Sequence, residues 1–540
     1  MKISGLGELT TNEKRVALDR LALPLARVAG RPAVLAIAVG LGFGIYTVGL
    51  ATLSSHWAPL LAVVAMVPSI GVVVGDVRRL LLLALVFDVP FSIGRHLYYN
   101  LDAAKLGSLG GLGISVTTLA IPMLYAMWIG NALARRGNGM RPWLRPAAAL
   151  AIYLGFVTFS ITQASSKSLS IFEITMLLQS LLIFIYIAST VRTRDDVVFI
   201  VTVLAVAVLL ESLIMLATYG TGQTFKFAGI STQLDPATMG SEPLSRVGGT
   251  VGGPNAAAAF LDLLLAPVLA LALSQVRRAY RLIAAGAFVF GTIALMLTQS
   301  RGGWIAVGVS CAIVIGYAWF RGWIPGMAPV LVIAGAAIVI YFLRNEILAR
   351  FLSDDSGSAD SRIPLIRLAF HMIAQHPFFG VGANNFGINI QNYATPEFNA
   401  DWLYTVHNRF VLIWAEDGIF ALVAFVTFLL GALRNGWRCR RITDQALSIL
   451  SVGLMAGVLG QMIHMMVDIL NGRQQVQLLM IVAGLLVALV AIKRETDPAT
   501  EETGRWDKIE RPLFVPQPKL VSQPLPVIQP VTRRVGGDRS

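Results

Sequence analysis

The feature that most constrains this chain is a succession of apolar runs, each about 20 residues long, separated by mostly short polar connections. A run of that length crosses the hydrocarbon core as a helix, and lipid offers its backbone no other partner outside a closed barrel. The runs lie near 33–53, 58–75, 80–94, 114–134, 147–164, 171–191, 197–219, 255–274, 282–299, 304–320, 328–343, 409–433, 446–470 and 476–492. The expected fold is all-α, a polytopic membrane bundle of about 12–14 transmembrane helices with one large, partly helical loop at 344–408. A composition of 56% hydrophobic and 14% charged residues, with mean hydropathy +0.69, leaves too little polar surface to coat a water-soluble globule.

The net charge of +13 does not indicate a nucleic-acid partner, because Lys and Arg fall in short clusters between apolar runs, where they act as topology signals. One set of alternate connections carries Arg78, Arg79, Arg135, Arg136, Arg141, Arg145, Arg192, Arg194, Arg277, Arg278, Arg281, Arg321 and the Arg434–Arg441 cluster. Its Lys/Arg density is nearly fivefold that of the other set. Both termini are therefore expected in the cytoplasm, with the 220–254 and 344–408 loops outside, in the periplasm if the membrane is a bacterial inner membrane. Residues 1–32 form a cytoplasmic segment whose Glu8, Glu13 and Asp19, with no small-residue cleavage site following, do not suit a removed signal peptide. Residues 33–492 form the membrane domain, and the Pro-rich stretch 493–540 is expected to be a disordered cytoplasmic tail. The two cysteines, Cys311 and Cys439, make neither a disulfide scaffold nor a metal-ligand spacing.

Residues able to do chemistry gather at the outer ends of the runs in the second half. The large loop closes with His407 and Asn408 just before an apolar helix expected to open at Arg409 and enter the bilayer directly. Within the loop, 361–375 reads as a helix with Ile366, Ala369, Phe370 and Ile373 on one face and Arg367, His371 and Gln375 on another. Arg362 falls on the apolar side, where a cation needs an anion. The segment His376 to Gly387 is glycine-rich but lacks the lysine and strand-helix frame of a phosphate loop, so its glycines are expected to serve close packing. Asn255 is placed to cap the helix that follows Arg246. Arg301 lies in a tight connection near membrane depth, where an uncompensated Arg costs ~2.5–3.5 kcal/mol. Asp88, Glu173, Glu211, Asp262, Glu416 and Asp468 are carboxylates within runs; structural hydrogen bonding accounts for most of them, and a proton path is the functional alternative.

Taken in order, Pro254-Asn255, Ser300-Arg301, the Arg362 helix, His376-Pro377-Phe378-Phe379-Gly380-Val381-Gly382 and the closing His407-Asn408 resemble the O-antigen ligase and O-antigen polymerase superfamily of bacterial membrane glycosyltransferases. The resemblance covers roughly 240–425. The ligase pattern of His, an amide or hydroxyl residue, a fixed spacer and Gly is met by His407, Asn408 and Gly418, while Ala421 departs at its last position. The resemblance implies a metal-independent inverting transferase without cofactor. Its glycan donor is carried on undecaprenyl diphosphate, and its acceptor is a hydroxyl of lipid A core or another glycan on the periplasmic side of the inner membrane. It further implies His407 as catalytic residue and Arg301 and Arg362 as ligands of the lipid diphosphate, with Arg246, Asn255, Arg367, His376 and Asn408 in support and no metal ligand. Membrane lipids and polysaccharide-assembly proteins are the implied partners, in lipopolysaccharide or exopolysaccharide biosynthesis. Repeat-unit polymerisation and protein O-glycosylation are the same chemistry on other acceptors. A transporter or flippase is the rival from another class, and it would call for broken helices in two related halves, a symmetry the sequence lacks.

Overall fold

The computed structural model describes residues 76–91, 94–134, 145–227, 230–239, 242–327, 341, 358–395, 398 and 403–496. In chain order, α1 is Val77–Phe91, β1 Gly94–Leu97, α2 Leu101–Lys105, β2 Leu112–Ser115 and α3 Val116–Ala134. After a 3₁₀ turn at Arg145–Ala147 come α4 (Ala148–Ser160), α5 (Lys167–Thr190) and α6 (Arg194–Thr221). The short strands β3 (Lys226–Phe227), β4 (Ile230–Ser231), β5 (Gln233–Met239) and β6 (Glu242–Gly249) lead to α7 (Pro254–Leu273), α8 (Arg278–Thr298) and α9 (Arg301–Phe320). The second half holds α10 (Ser358–Gln375), α11 (Phe386–Tyr393), α12 (Arg409–Asp417), α13 (Ile419–Cys439), α14 (Gln445–Met465) and α15 (Arg473–Thr496). The expected runs at 33–53, 58–75 and nearly all of 328–343, with 1–32 and 497–540, lie outside the described residues.

Among the described residues eight helices are long and apolar enough to cross a membrane: α5 to α9 and α13 to α15. The fold is a polytopic helical membrane bundle, with three two-stranded antiparallel hairpins (β1–β2, β3–β4, β5–β6) that an all-α reading omits. The centre is made by α7, α14 and α15, whose apolar windows are almost wholly buried by neighbouring helices. Small residues allow the closest approach: a Cβ on Gly457 would run into the Leu263 carbonyl of α7, and one on Gly460 into Ser310 of α9. Ser310 Oγ then donates across to the Ala456 carbonyl at 2.8 Å.

The helix ends sort into two sets. At one end, Arg194 pairs with Asp444 at 2.9 Å and donates to the Gln275 carbonyl, while Lys493 donates to the Arg438 carbonyl. Among the described residues this end also collects Arg78, Arg192, Arg281 and Arg440. The opposite end holds the β5–β6 hairpin, the start of α9, the loop before α12 and the last turn of α14, and it carries the site residues described below.

Two expectations about the large loop are corrected. Its helix begins at Ser358 and buries Leu365, Leu368, Ala369, Met372 and Ile373, leaving Phe370 about half exposed. The helix opening at Arg409 does not continue into the bilayer but ends at Asp417, and the span proper, α13, starts at Ile419. Gly418 makes the break with φ 86° and ψ 174°, a region essentially closed to other residues, and a Cβ there would strike the Phe378 carbonyl. Gly380 (φ 65°) meets the Glu416 carbonyl in the same way, and Gly382 (φ 101°) meets Ala164. The glycine-rich segment is thus a clamp: Val381 and Gly382 donate backbone hydrogen bonds at 2.9 Å to the Ala415 and Glu416 carbonyls, and no phosphate need be invoked. Gly418→Ala should lower stability by about 1–3 kcal/mol from backbone strain alone, with the clash adding to it. A clear fall in the thermal midpoint of the detergent-purified protein is expected; an unchanged midpoint would disprove the clamp.

Candidate functional site

The loop that ends in His407 is held at both flanks. Thr405 donates its N–H (3.1 Å) and its hydroxyl (2.8 Å) to the Leu106 carbonyl, and Val406 is fully buried. On the other side Asn408 caps α12: its Oδ1 accepts from Phe410 N at 3.0 Å and Val411 N at 3.1 Å, and its Nδ2 donates to the Met466 carbonyl just beyond α14. Arg409 then points into the bundle and pairs with Glu173 at 3.3 Å, both side chains 3% exposed. A buried pair of this kind is strongly destabilising to break, so it anchors the start of α12. Between these restraints the His407 ring lies partly buried, 5.5 Å from the Tyr404 ring centroid. Burial lowers its pKa below the ordinary value; the Asp468 carboxylate opposes that and the Arg362 guanidinium adds to it.

Arg362 comes from the first half of α10 and lies within electrostatic reach of both His407 and His464. Its Nε is buried and finds no hydrogen-bond partner among the described residues. Arg301 arrives from a third direction as the first residue of α9. The preceding Ser300 caps that helix, accepting from Gly303 N, and its Oγ is 3.4 Å from His464 Nε2. Gly302 lies against the same imidazole, where a Cβ would come 2.7 Å from His464 Cδ2. His464 therefore links the neighbourhoods of Arg301 and Arg362, and through Asp468 that of His407. The start of α9 and the Arg362 side chain thus approach one buried imidazole at one end of the bundle, and arginines so placed beside a second imidazole are suited to holding an oxyanion near a proton acceptor.

The remaining candidates divide. Arg246 donates to the Thr298 carbonyl at 3.0 Å and to Asn255 Oδ1 at 2.8 Å, so the segments leading into α7 and out of α8 are joined next to Arg301. The expected cap role of Asn255 is corrected: α7 is capped from Gly253 with Pro254 at its first position, and the Asn255 amide oxygen serves Arg246. Arg367 is exposed on the outer face of α10. His376 packs edge-on to Tyr393 at 6.1 Å, while His371 takes the Tyr393 carbonyl at 2.9 Å and bonds Gln375. These residues brace α10 against α11.

Most carboxylates within the runs have local partners. Asp88 accepts from Thr117 N and Oγ1 at 2.7 Å, Glu211 from Thr250 and Val251, and Glu416 from Phe386 N at 2.8 Å. Asp262 and Asp468 differ, because both converge on His464, at 2.5 Å and 3.9 Å. The sequence offered one sign of this, the one-turn spacing of His464 and Asp468; the partner on α7 had none. Residues 286–426, a segment containing Arg301, Arg362 and His407, match the family model described as O-antigen ligase. No curated protein matches the chain.

Proposed function

With an O-antigen ligase segment as the premise, placing the chain in that superfamily, we propose that it transfers a glycan from undecaprenyl diphosphate to an acceptor hydroxyl on the periplasmic side of a bacterial inner membrane. The observation that supports this reading is the approach of the first turn of α9, which begins at Arg301, to His464 through Ser300, with Arg362 and Asp468 in electrostatic reach of His464 and of His407, at the end of the bundle where Arg194 and Lys493 are not. The two guanidiniums bind the diphosphate oxygens, and the partnerless Nε of Arg362 supplies one donor for them. His407 accepts the proton of the acceptor hydroxyl as its oxygen attacks the anomeric carbon from the face opposite the diphosphate. The bond from that carbon to the diphosphate oxygen breaks, the electron pair leaves with undecaprenyl diphosphate, and the configuration inverts. The arginines act most strongly here, as negative charge grows on the leaving oxygens.

The positive-inside distribution supports cytoplasmic termini and a periplasmic site. The transfer as written needs no metal ion, since the arginines take the leaving charge and His407 the proton. The test is a proteoliposome assay with undecaprenyl-diphosphate glycan and, in separate arms, lipid A core, a second lipid-linked glycan and no acceptor. Transfer in one of the two acceptor arms, undiminished by EDTA, is expected, and lipid A core as the acceptor would identify a ligase. Chain extension instead would identify a polymerase, and movement of donor across the bilayer without transfer would identify a transporter and overturn the reading. Loss of transfer with EDTA, restored by a divalent ion, would overturn the metal-free step.

A further inference from the structure

Three helices distant in sequence meet at one buried imidazole. His464, in the last turn of α14, donates Nδ1–H to Asp262 Oδ2 of α7 at 2.5 Å. Its Nε2 lies 3.4 Å from Ser300 Oγ, which in turn accepts from Gly303 N of α9. Gln461, one turn earlier on α14, completes the set: with its amide turned to satisfy both ends, it donates to Asp262 Oδ1 at 3.2 Å and to the Ala259 carbonyl at 3.3 Å. The Asp262 and His464 side chains are 0% and 1% exposed, so neither can touch a lipid-borne substrate. Asp468 Oδ2 is 3.9 Å from His464 Nε2, beyond a hydrogen bond but close enough to feel its dipole or charge.

A buried acid–imidazole pair is weak evidence of stabilisation, because well-packed apolar residues of similar volume often do as well. What this pair supplies that apolar residues would not is direction. It ties the first turn of α9, which carries Arg301, and the segment after α14, which carries Asp468, to the central helix α7. We propose that the Asp262–His464 pair is a positioning device for transfer: it fixes the first turn of α9 so that the Arg301 guanidinium meets the lipid diphosphate at a set distance from Asp468 and His407. This rests on the donor reading above. Asp262 and His464 are positioning residues, acting through Ser300 and Arg301.

The experiment is a double-mutant cycle on the full chain in nanodiscs, with undecaprenyl diphosphate itself as probe. His464→Gln is read in the wild-type and Arg301→Ala backgrounds, and Ser300→Ala, which leaves the buried pair intact, is read in the same two. Each should weaken binding by about 10-fold when Arg301 is present and by less than about 2-fold when it is absent, since the effect is routed through that side chain. Equal factors in both backgrounds for His464→Gln would reduce the pair to a structural role and overturn the proposal, whatever Ser300→Ala does. Should His464→Gln fail to accumulate, Asp262→Asn, read in the same two backgrounds, takes its place and decides by the same criterion, since Ser300→Ala by itself also removes the cap of α9. Wild-type protein that does not bind undecaprenyl diphosphate would instead sink the donor reading, and the positioning role with it. The two failures are therefore distinguishable.

Discussion

Replacing His407 with Ala is expected to lower turnover by about 10²- to 10⁴-fold while undecaprenyl diphosphate still binds within about 2-fold of wild type. The split follows from where the ring acts. The imidazole removes a proton from the acceptor, whereas the donor's charge is met by the two arginines. The fold should survive, because α12 is capped by Asn408 and anchored by Arg409, neither of which depends on His407. The pH profile adds a signed expectation. Burial lowers the His407 pKa, so the ring is neutral and able to accept a proton throughout the neutral range, and the rate should fall only as pH drops below the ordinary value of about 6.5. Asp468 opposes that lowering, so Asp468→Asn should move the acid limb further down. Wild-type turnover in His407→Ala would remove the general-base role, and an acid limb that rises in Asp468→Asn would remove the electrostatic link between the two residues.

Sequence pattern and structure agree where the physics is local. The spans α5 to α9 and α14 follow from apolar length, and their ends fall within a few residues of the runs because caps such as Thr193, Ser300 and Asp444 stand where the polar connections meet the helices. The break at Gly418 was not legible. Apolar residues continue on both sides of Glu416-Asp417 up to Leu433, carboxylates also stand inside continuous spans such as α6 and α7, and a glycine inside a membrane helix is ordinary; only the Phe378 carbonyl facing Gly418 demands one. The β5–β6 hairpin was missed because its strands contain Pro236 and Pro243 and lack an alternating apolar pattern. Arg301 and His407 stand out as polar residues at the ends of apolar runs and Arg362 as a cation on the apolar face of a loop helix, while their roles are what the family resemblance implies. Asp262 and His464 are separated by 202 positions, and nothing in a single sequence joins two polar residues that far apart. The sequence presents each carboxylate singly; which of them approach His464 is a property of helix packing.

Arg301→Ala and Arg362→Ala should each weaken undecaprenyl diphosphate binding by ~10- to 150-fold, the equivalent of ~1.5–3 kcal/mol for a charge-assisted contact, and should slow turnover further. The second loss arises because the leaving diphosphate gains charge as the glycosidic bond breaks, so a guanidinium contact strengthens in the transition state. Lysine at either position should recover part of the binding: an ammonium keeps the charge but loses the planar fork. Recovery should be poorer at Arg362. Its buried Nε, facing no partner among the described residues, offers a donor at a point on the side chain where lysine has only a methylene. Thermal midpoints must accompany the binding curves, because an arginine at membrane depth also holds helices together. Either alanine variant that matches wild type in midpoint and still binds undecaprenyl diphosphate normally would exclude that arginine from the diphosphate site. Equal rescue by lysine at both positions would mean that charge alone, and not the guanidinium geometry, holds the donor.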